Sequence, residues 1–539
     1  MHLKTNKLLF FSFYIFLPMC FFSQKEANIW YFVNHAGLDF STNPPTAITN
    51  TNMNASEGCA TISDTNGNLL FYTDGNTIWD KTHAVMANGT GLFADPSATQ
   101  NSIIIKKPLS SNLYYVFTNA ATTSSLPGLY YSLVDMNLAN GNGSVTVKNY
   151  TVFTSGTEKL TATKHANDTD IWVLTHDWNN NNFRANLITS NGVTILPVTS
   201  SVGSMHTYST SWAGYMKFSP DGKKLGVVIS GGAVGIEIYD FNNSDGNINN
   251  LVAINLFTGM YGCEFSPDSK KVYITGSFDG RLHQLDLCVN SYSAIINSDK
   301  VIASASSSLF TAALQLGTDG KIYVVSLGQK LGVISNPNKL GLLCNYNSSS
   351  LSLGTGTNNY GLPNFITNYF DQRVKLNVQA QNGFTLCNGE QKVLVASGAN
   401  SYTWNGSVSS FSINVSPSIT TVYTVQATSI DGCVYSNTFV LNVQPCLNTE
   451  ENILQNFSIF PNPADESIFI KLNSSLSDWD NLINYSIYNF TGKIVFEDEL
   501  KSFKNTIHLN TQNLENGYYL FVLKSSNEII KKQILLICH

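Results

Sequence analysis

Charge is scarce in this sequence. Of 539 residues, 30 are Lys or Arg and 36 are Asp or Glu, together 12%, and the formal net charge is −6. No basic stripe runs along the chain, which removes the electrostatic footprint that nucleic-acid binding needs. Long apolar runs are missing too. After Phe22 no stretch reaches the ~18 apolar residues of a membrane-spanning helix, so no transmembrane segment is expected in the mature chain. The nine cysteines contain no CxxC or CxxH pair, which takes away the usual spacing of a zinc site. There is no GxSxG elbow, HExxH helix or phosphate-binding loop, so no metal and no cofactor is expected. What the chain has instead is Asn, Ser, Thr and Gly, a surface kept soluble by amides and hydroxyls.

The one apolar run lies at the start. Lys4 and Lys7 precede Leu8 to Phe22, which carry no charge. At about 15 residues this run suits the core of a secretory signal and is short for a membrane span. Cleavage after Ser23 makes residues 1–23 a signal peptide. It removes two lysines, leaving 28 basic and 36 acidic residues and a net charge of −8. An exported chain meets an oxidising compartment, so disulfides are permitted.

From Asn28 onward the chain reads as short alternating strands broken by Asn-Gly, Asp-Gly and Ser-Asn turns, hence an all-β protein. Residues 28–370 hold a degenerate repeat: SDTNGNLLFYTDG at 63–75, FSPDGKKLGVVISGG at 218–232, FSPDSKKVYITGSFDG at 265–280 and LGTDGKIYVVSLG at 316–328, with weaker copies at 106–119 and 164–176. Asp64, Ser110, Asp168, Asp221, Asp268 and Asp319 are spaced by 46, 58, 53, 47 and 51 residues. A period near 50 in an all-β chain is that of a β-propeller with one four-stranded blade per repeat, here about seven blades over residues 24–372. The seventh blade is expected to join NIWYFVN at 28–34 to FITNYF at 365–370. The FSPDGKKL element resembles the blades of WD40-like and TolB-like propellers.

Residues 373–446 change character, with alternating strands, Trp404 and turns every 8–12 residues, a pattern expected of a small sandwich. The passage resembles the Ig-like modules of gliding-motility-associated surface proteins of the Bacteroidetes. A Cys387–Cys433 disulfide would close a loop of about 46 residues, worth ~4 kcal/mol in the chain-entropy model. The pairing of Cys59, Cys263, Cys288, Cys344 and Cys446 is open. Residues 447–453 form a polar linker.

The last segment, 454–539, has four elements in order: NFSIFPNPADESIFIKL with Pro461, Asn462 and Pro463; YSIYNFTGKIVFE with Gly492 and Lys493; TIHLNTQNLENGYYLFVLKS with Gly517 and Tyr519; and EIIKKQILLI. They resemble, in order and spacing, the type A sorting domain of the type IX secretion system. The resemblance implies a β-sandwich, recognition by the type IX translocon and sorting machinery, and a destination outside the cell or at the outer-membrane surface. The terminal Ile537-Cys538-His539 departs from the pattern. If the domain is cleaved, seven cysteines remain and at least one stays unpaired within the chain. The opening of the propeller, at 28–40, 57–80 and 158–177, resembles large flavobacterial surface proteins that carry similar modules.

The candidates for chemistry are the acids outside turns. Asp64, Asp74, Asp168, Asp221, Asp268 and Asp319 sit beside Gly, Asn or Pro, where turn geometry accounts for them. Glu57, Glu158, Glu237 and Glu264 remain, and two of them could form an acid/base pair only by converging in the channel. Glu237 in GIEIYD reads as an outward strand position. Glu158, His165, His176 and Asp177 fall within twenty residues, which would suit general acid/base work. Glu57, Glu158, His165 and His176 are thus the weak catalytic candidates, without a coherent set. The sequence favours a secreted or cell-surface binding and adhesion protein whose propeller recognises a glycan or protein. A structural component of a surface motility or adhesion layer comes next, and a propeller hydrolase of polysaccharide or peptide last.

Overall fold

A computed structural model describes residues 25–539 apart from 121–126, 208–209, 232–233, 256–258, 278–279, 290, 305–309, 372–376, 381–382, 398, 429–433, 445–456, 473–482, 501–505 and 526–527. The signal peptide, Cys433 and Cys446 therefore lie outside the described residues. The described chain is almost entirely β, with one short α-helix, Tyr292–Asn297, capped by the Ser291 hydroxyl. Two compact units make it up. The first runs to Gly383 and takes in Lys392–Val415 and Val422–Val440; the second comprises Phe384–Gln391, Ser416–Thr421 and Leu441–His539.

Residues 29–352 form seven successive antiparallel blades, a β-propeller. Their first strands are Ile29–Phe32, Ala60–Ser63, Ser102–Lys106, Gly156–Lys164, Met216–Phe218, Met260–Phe265 and Leu314–Leu316. The second and third blades are joined into one eight-stranded sheet through the parallel pair Ser144↔Ala87. Each repeat turn links the first strand of a blade to its second, from Leu69–Thr73 to Ile322–Ser326. The turn aspartates work locally. Asp221 accepts from the Ser219 hydroxyl and Lys223 N–H, and Asp268 repeats the pattern with Ser266 and Lys270. In the sixth blade the first two strands are buried along their whole length, because a blade is covered by neighbours on both faces.

The ring closes differently from the sequence expectation. The first blade has three strands, all from the N-terminal segment. It sits against the seventh through Trp30, whose ring lies 5.5 Å from Tyr323, and against the second through Tyr31, 4.8 Å from Tyr72. FITNYF is not a strand of this blade. Residues 361–370 run down the axis beside the first strands and end in a 3-10 turn, Thr367–Phe370. Asn364 N donates to Cys59 O (2.9 Å), and its amide donates to Ser102 O (3.3 Å) and Leu160 O (2.9 Å). Lower down, Asn368 Oδ1 accepts from Thr163 Oγ1 (2.8 Å) and Lys164 N (2.6 Å), while Nδ2 donates to Pro220 O (2.8 Å). Leu362, Phe365 and Ile366 fill the space between. Aromatic and β-branched residues give FITNYF the look of a strand. The side chains of Asn364, Thr367 and Asn368 instead meet carbonyls of three blades, so the segment serves as an axial strap.

Residues 377–444 form a three-stranded sheet (Asn377–Ala380, Lys392–Ser397, Ser412–Val415) and a five-stranded sheet. Trp404 is wholly buried and donates through Nε1 to Ser410 O (2.8 Å). The C-terminal segment forms a three-stranded sheet and a four-stranded sheet around a core that includes Ile468, Ile470, Phe521 and Leu535.

Candidate functional site

The first strand of every blade begins at the same end of the axis, so the residues just before or at its start gather there from different blades. Glu57, Thr99, Glu158, Trp212 and Tyr261 occupy these places, and Tyr360, from the segment that leads into the strap, joins them by accepting Ala313 N–H (3.1 Å). Contacts across the ring establish the convergence. Tyr261 donates its hydroxyl to Glu57 Oε2 (3.0 Å) across 204 residues of sequence. Glu158 Oε2 accepts from Thr99 N (2.9 Å) and Thr99 Oγ1 (2.7 Å), and Thr99 Oγ1 also receives Gly214 N (3.3 Å). Tyr261 lies 5.8 Å from Tyr215 and 6.0 Å from Tyr360, and Tyr360 is 5.1 Å from Phe310. Trp178 and Trp212, both half-buried, meet edge to face at 5.5 Å. Below this mouth Gly361 abuts the backbone of Glu57, and the strap fills the axis.

Two of the weak candidates from sequence, Glu57 and Glu158, thus come together. Burial first, and then the Glu158 carboxylate, push the Glu57 carboxyl up to about 8; the Tyr261 hydroxyl pulls it the other way. Burial also raises Glu158, against the opposing pull of Thr99 and of the neighbouring Lys159. Lys159 is buried and donates to Ala213 O (2.7 Å) and Gly214 O (3.0 Å), yet loss of hydration brings its ammonium down to about 7. The mouth therefore carries Glu57, a carboxyl that exchanges its proton near neutrality, beside a second carboxyl that burial also raises, both framed by aromatic rings.

The remaining candidates lie elsewhere. His165 sits at a turn, where Nδ1 accepts from Asn167 N (3.0 Å). His176 is buried, donates through Nδ1 to Asp177 O (2.7 Å) and stacks on His206 at 3.8 Å. Burial brings His176 down to about 3 and His206 well below the ordinary range, so both imidazoles are neutral. Asp177 is held by Arg184 in a two-pronged pair (2.5 and 2.8 Å). Glu237 corrects the outward assignment: it is 1% exposed and receives the hydroxyls of Ser204 (2.7 Å) and Tyr239 (2.5 Å). Alternation implies an outside only when one sheet face meets water, and propeller blades bury both. Glu264 pairs with the buried Lys217 (2.7 Å) and stays out of the mouth cluster. Among the described residues no group of three or more His, Cys, Asp or Glu could hold a metal ion. Sequence reasoning missed Thr99, Lys159, Trp212, Tyr261 and Tyr360, which share no motif; only their places relative to the repeat could have marked them.

Cysteines divide by burial. Cys59, Cys263 and Cys344 are free and buried, Cys538 is free and exposed, and Cys288 and Cys387 are disulfide-bonded. In the C-terminal segment Asn462 uses its amide as a substitute strand, Nδ2 donating to Ile534 O (2.7 Å) and Oδ1 accepting Leu536 N (2.8 Å). Gly492 and Gly517 take positive φ, the former in the turn that Asn489 organises. Tyr519 donates to Glu515 O (2.9 Å).

No curated protein matches the chain. Solved structures similar to it include Kluyveromyces lactis Hsv2 (11% identity, 57% of this chain and 90% of that one, TM-score 0.34). Others are the β-propeller domain of Cps50 (Swd1) from Myceliophteria thermophila (10%, 56% and 94%, 0.35) and PorZ of the type IX secretion system of Porphyromonas gingivalis (12%, 95% and 69%, 0.28). Among the described residues no helix is long and apolar enough to cross a membrane. Residues 458–537 match the family described as secretion system C-terminal sorting domain. The segment is thus a secretion sorting domain, and the chain is a type IX secretion cargo, secreted or attached at the cell surface.

Proposed function

We propose that the propeller is a recognition scaffold that holds an extracellular glycan or protein at its axial mouth once the sorting domain has delivered it outside. The observation that carries this reading is the convergence of Glu57, Glu158 and Tyr261 with half-buried Trp178, Trp212 and Tyr360, from four blades and the segment leading into the strap. Aromatic faces give stacking area, and carboxyls orient hydroxyl or amide groups. The strap supports binding over passage, because it fills the axis below the mouth. The Ig-like module, which lies between propeller and sorting domain in the chain, serves as a spacer. Probing glycan and extracellular-protein arrays with the full chain tests the reading. Trp212→Ala and Tyr360→Ala should each lower the signal about tenfold. Silence across both arrays overturns it, and a changed attachment or gliding phenotype on deletion would then favour a layer component.

A hydrolytic reading has one observation in its favour. A carboxyl brought to about 8 beside a second carboxyl can donate a proton at neutral pH. Glu57→Gln separates the two readings: a hydrolase loses turnover, whereas a binding protein loses at most affinity.

A further inference from the structure

The sorting domain carries a groove of about 620 Å³ on one face of its four-stranded sheet. Its apolar lining includes Phe490, Tyr518, Leu520 and Ile534, which are 91%, 67%, 37% and 63% exposed. Such a cluster on the surface is costly in water unless something covers it. Among the described residues, the only charged ones lining the groove are Lys524 and Lys532. The register places them at one end. Tyr518 pairs with Leu536 and Leu520 with Ile534, then Val522 with Lys532, and Lys524 follows. An acid of the same sheet, Glu497, receives the Ser486 hydroxyl (3.2 Å) and lies outside the lining.

The floor offers little to an extended polypeptide. Strand Gly517–Ser525 is paired on both sides, by Ile483–Tyr488 and Glu528–Ile537. The outer edge of Glu528–Ile537 is capped by Asn462 at Ile534 and Leu536, and by Ala464 N–H at Leu536 O (2.7 Å). A strand laid in the groove would lose water from backbone groups without replacement. A helix satisfies its own backbone and presents an apolar stripe.

We propose that this groove is a docking site for an amphipathic helix of a partner protein, with acidic residues at the end of the helix that lies over Lys524 and Lys532. The reading is independent of the propeller mouth. The test is fluorescence anisotropy of the full chain with three labelled synthetic peptides of about five helical turns. One is a Leu/Glu amphipathic helix, the second its Leu/Lys counterpart, the third the Leu/Glu sequence interrupted by Pro. Saturable binding of the first, with the second at least about tenfold weaker and the third inactive, is expected. Lys524→Glu with Lys532→Glu should reverse the preference, and Phe490→Ser with Tyr518→Ser should abolish binding while circular dichroism stays unchanged. Should that apolar pair fail to fold, the lysine pair decides. Equal binding of both charge types, binding of the Pro-interrupted peptide, preference for phosphatidylglycerol vesicles, or no binding at all would overturn the proposal.

Discussion

Asn364→Ala removes from the propeller axis an amide that donates to two blades at once. The lost bonds run to Ser102 O (3.3 Å) and Leu160 O (2.9 Å) from a side chain only 4% exposed. A buried polar group left without its partner costs about 1–3 kcal/mol, and the missing side chain leaves a small void. The substitution should therefore destabilise the propeller by about 2–4 kcal/mol. Asn368→Ala leaves Lys164 N–H and Pro220 O unpaired at a partly buried site, for about 1–3 kcal/mol. Since a domain is stable by only ~5–15 kcal/mol, the double variant should lose much of the propeller's stability. Urea unfolding followed by the fluorescence of buried Trp30 and Trp172 reads the effect. Exposed Ser350→Ala serves as control and should stay within about 0.5 kcal/mol. Folded Asn364→Ala protein within that same margin would refute the axial strap as a brace of the ring.

Other outcomes follow from the same structure. Because Glu57 titrates near 8 rather than near 4.5, the folded state holds its proton longer than the unfolded chain does. Stability should then fall as pH rises from about 4.5 to 8, by up to ~5 kcal/mol at ~1.4 kcal/mol per pH unit. Glu57→Gln should flatten that slope in thermal melts, and an unchanged slope would contradict the assignment. Glu264→Ala strands the buried Lys217 ammonium and should cost about 3–5 kcal/mol, with Lys217→Met in the same chain restoring part of it by denaturant titration. Asn462→Ala uncovers the edge of the last strand and should cost the sorting domain about 1–2 kcal/mol, seen as faster proteolysis of that segment.

The blades were legible because each repeat turn is a local device: aspartate, turn, then a β-rich strand whose side chains are its own evidence. The sorting segment was legible for the same reason, four ordered elements within a short span. The strap was not. Asn364, Thr367 and Asn368 act through carbonyls about 150 to 260 residues away, and nothing local distinguishes an axial filler from a strand. The mouth was half legible. Glu57 and Glu158 stood out as acids without a turn to explain them, but Tyr261, Trp212 and Thr99 look like ordinary strand and loop residues until the ring closes. Glu237 failed because alternation was read as inside and outside in a blade that has two insides.

Oxidative footprinting of the full chain, with and without the ligand that scores on the arrays, tests the central claim most directly. The account predicts that bound ligand protects Trp178, Trp212, Phe310 and Tyr360, while exposed rings elsewhere, such as Tyr150 and Phe411, oxidise as before. Protection at those remote rings with the mouth unchanged would contradict it.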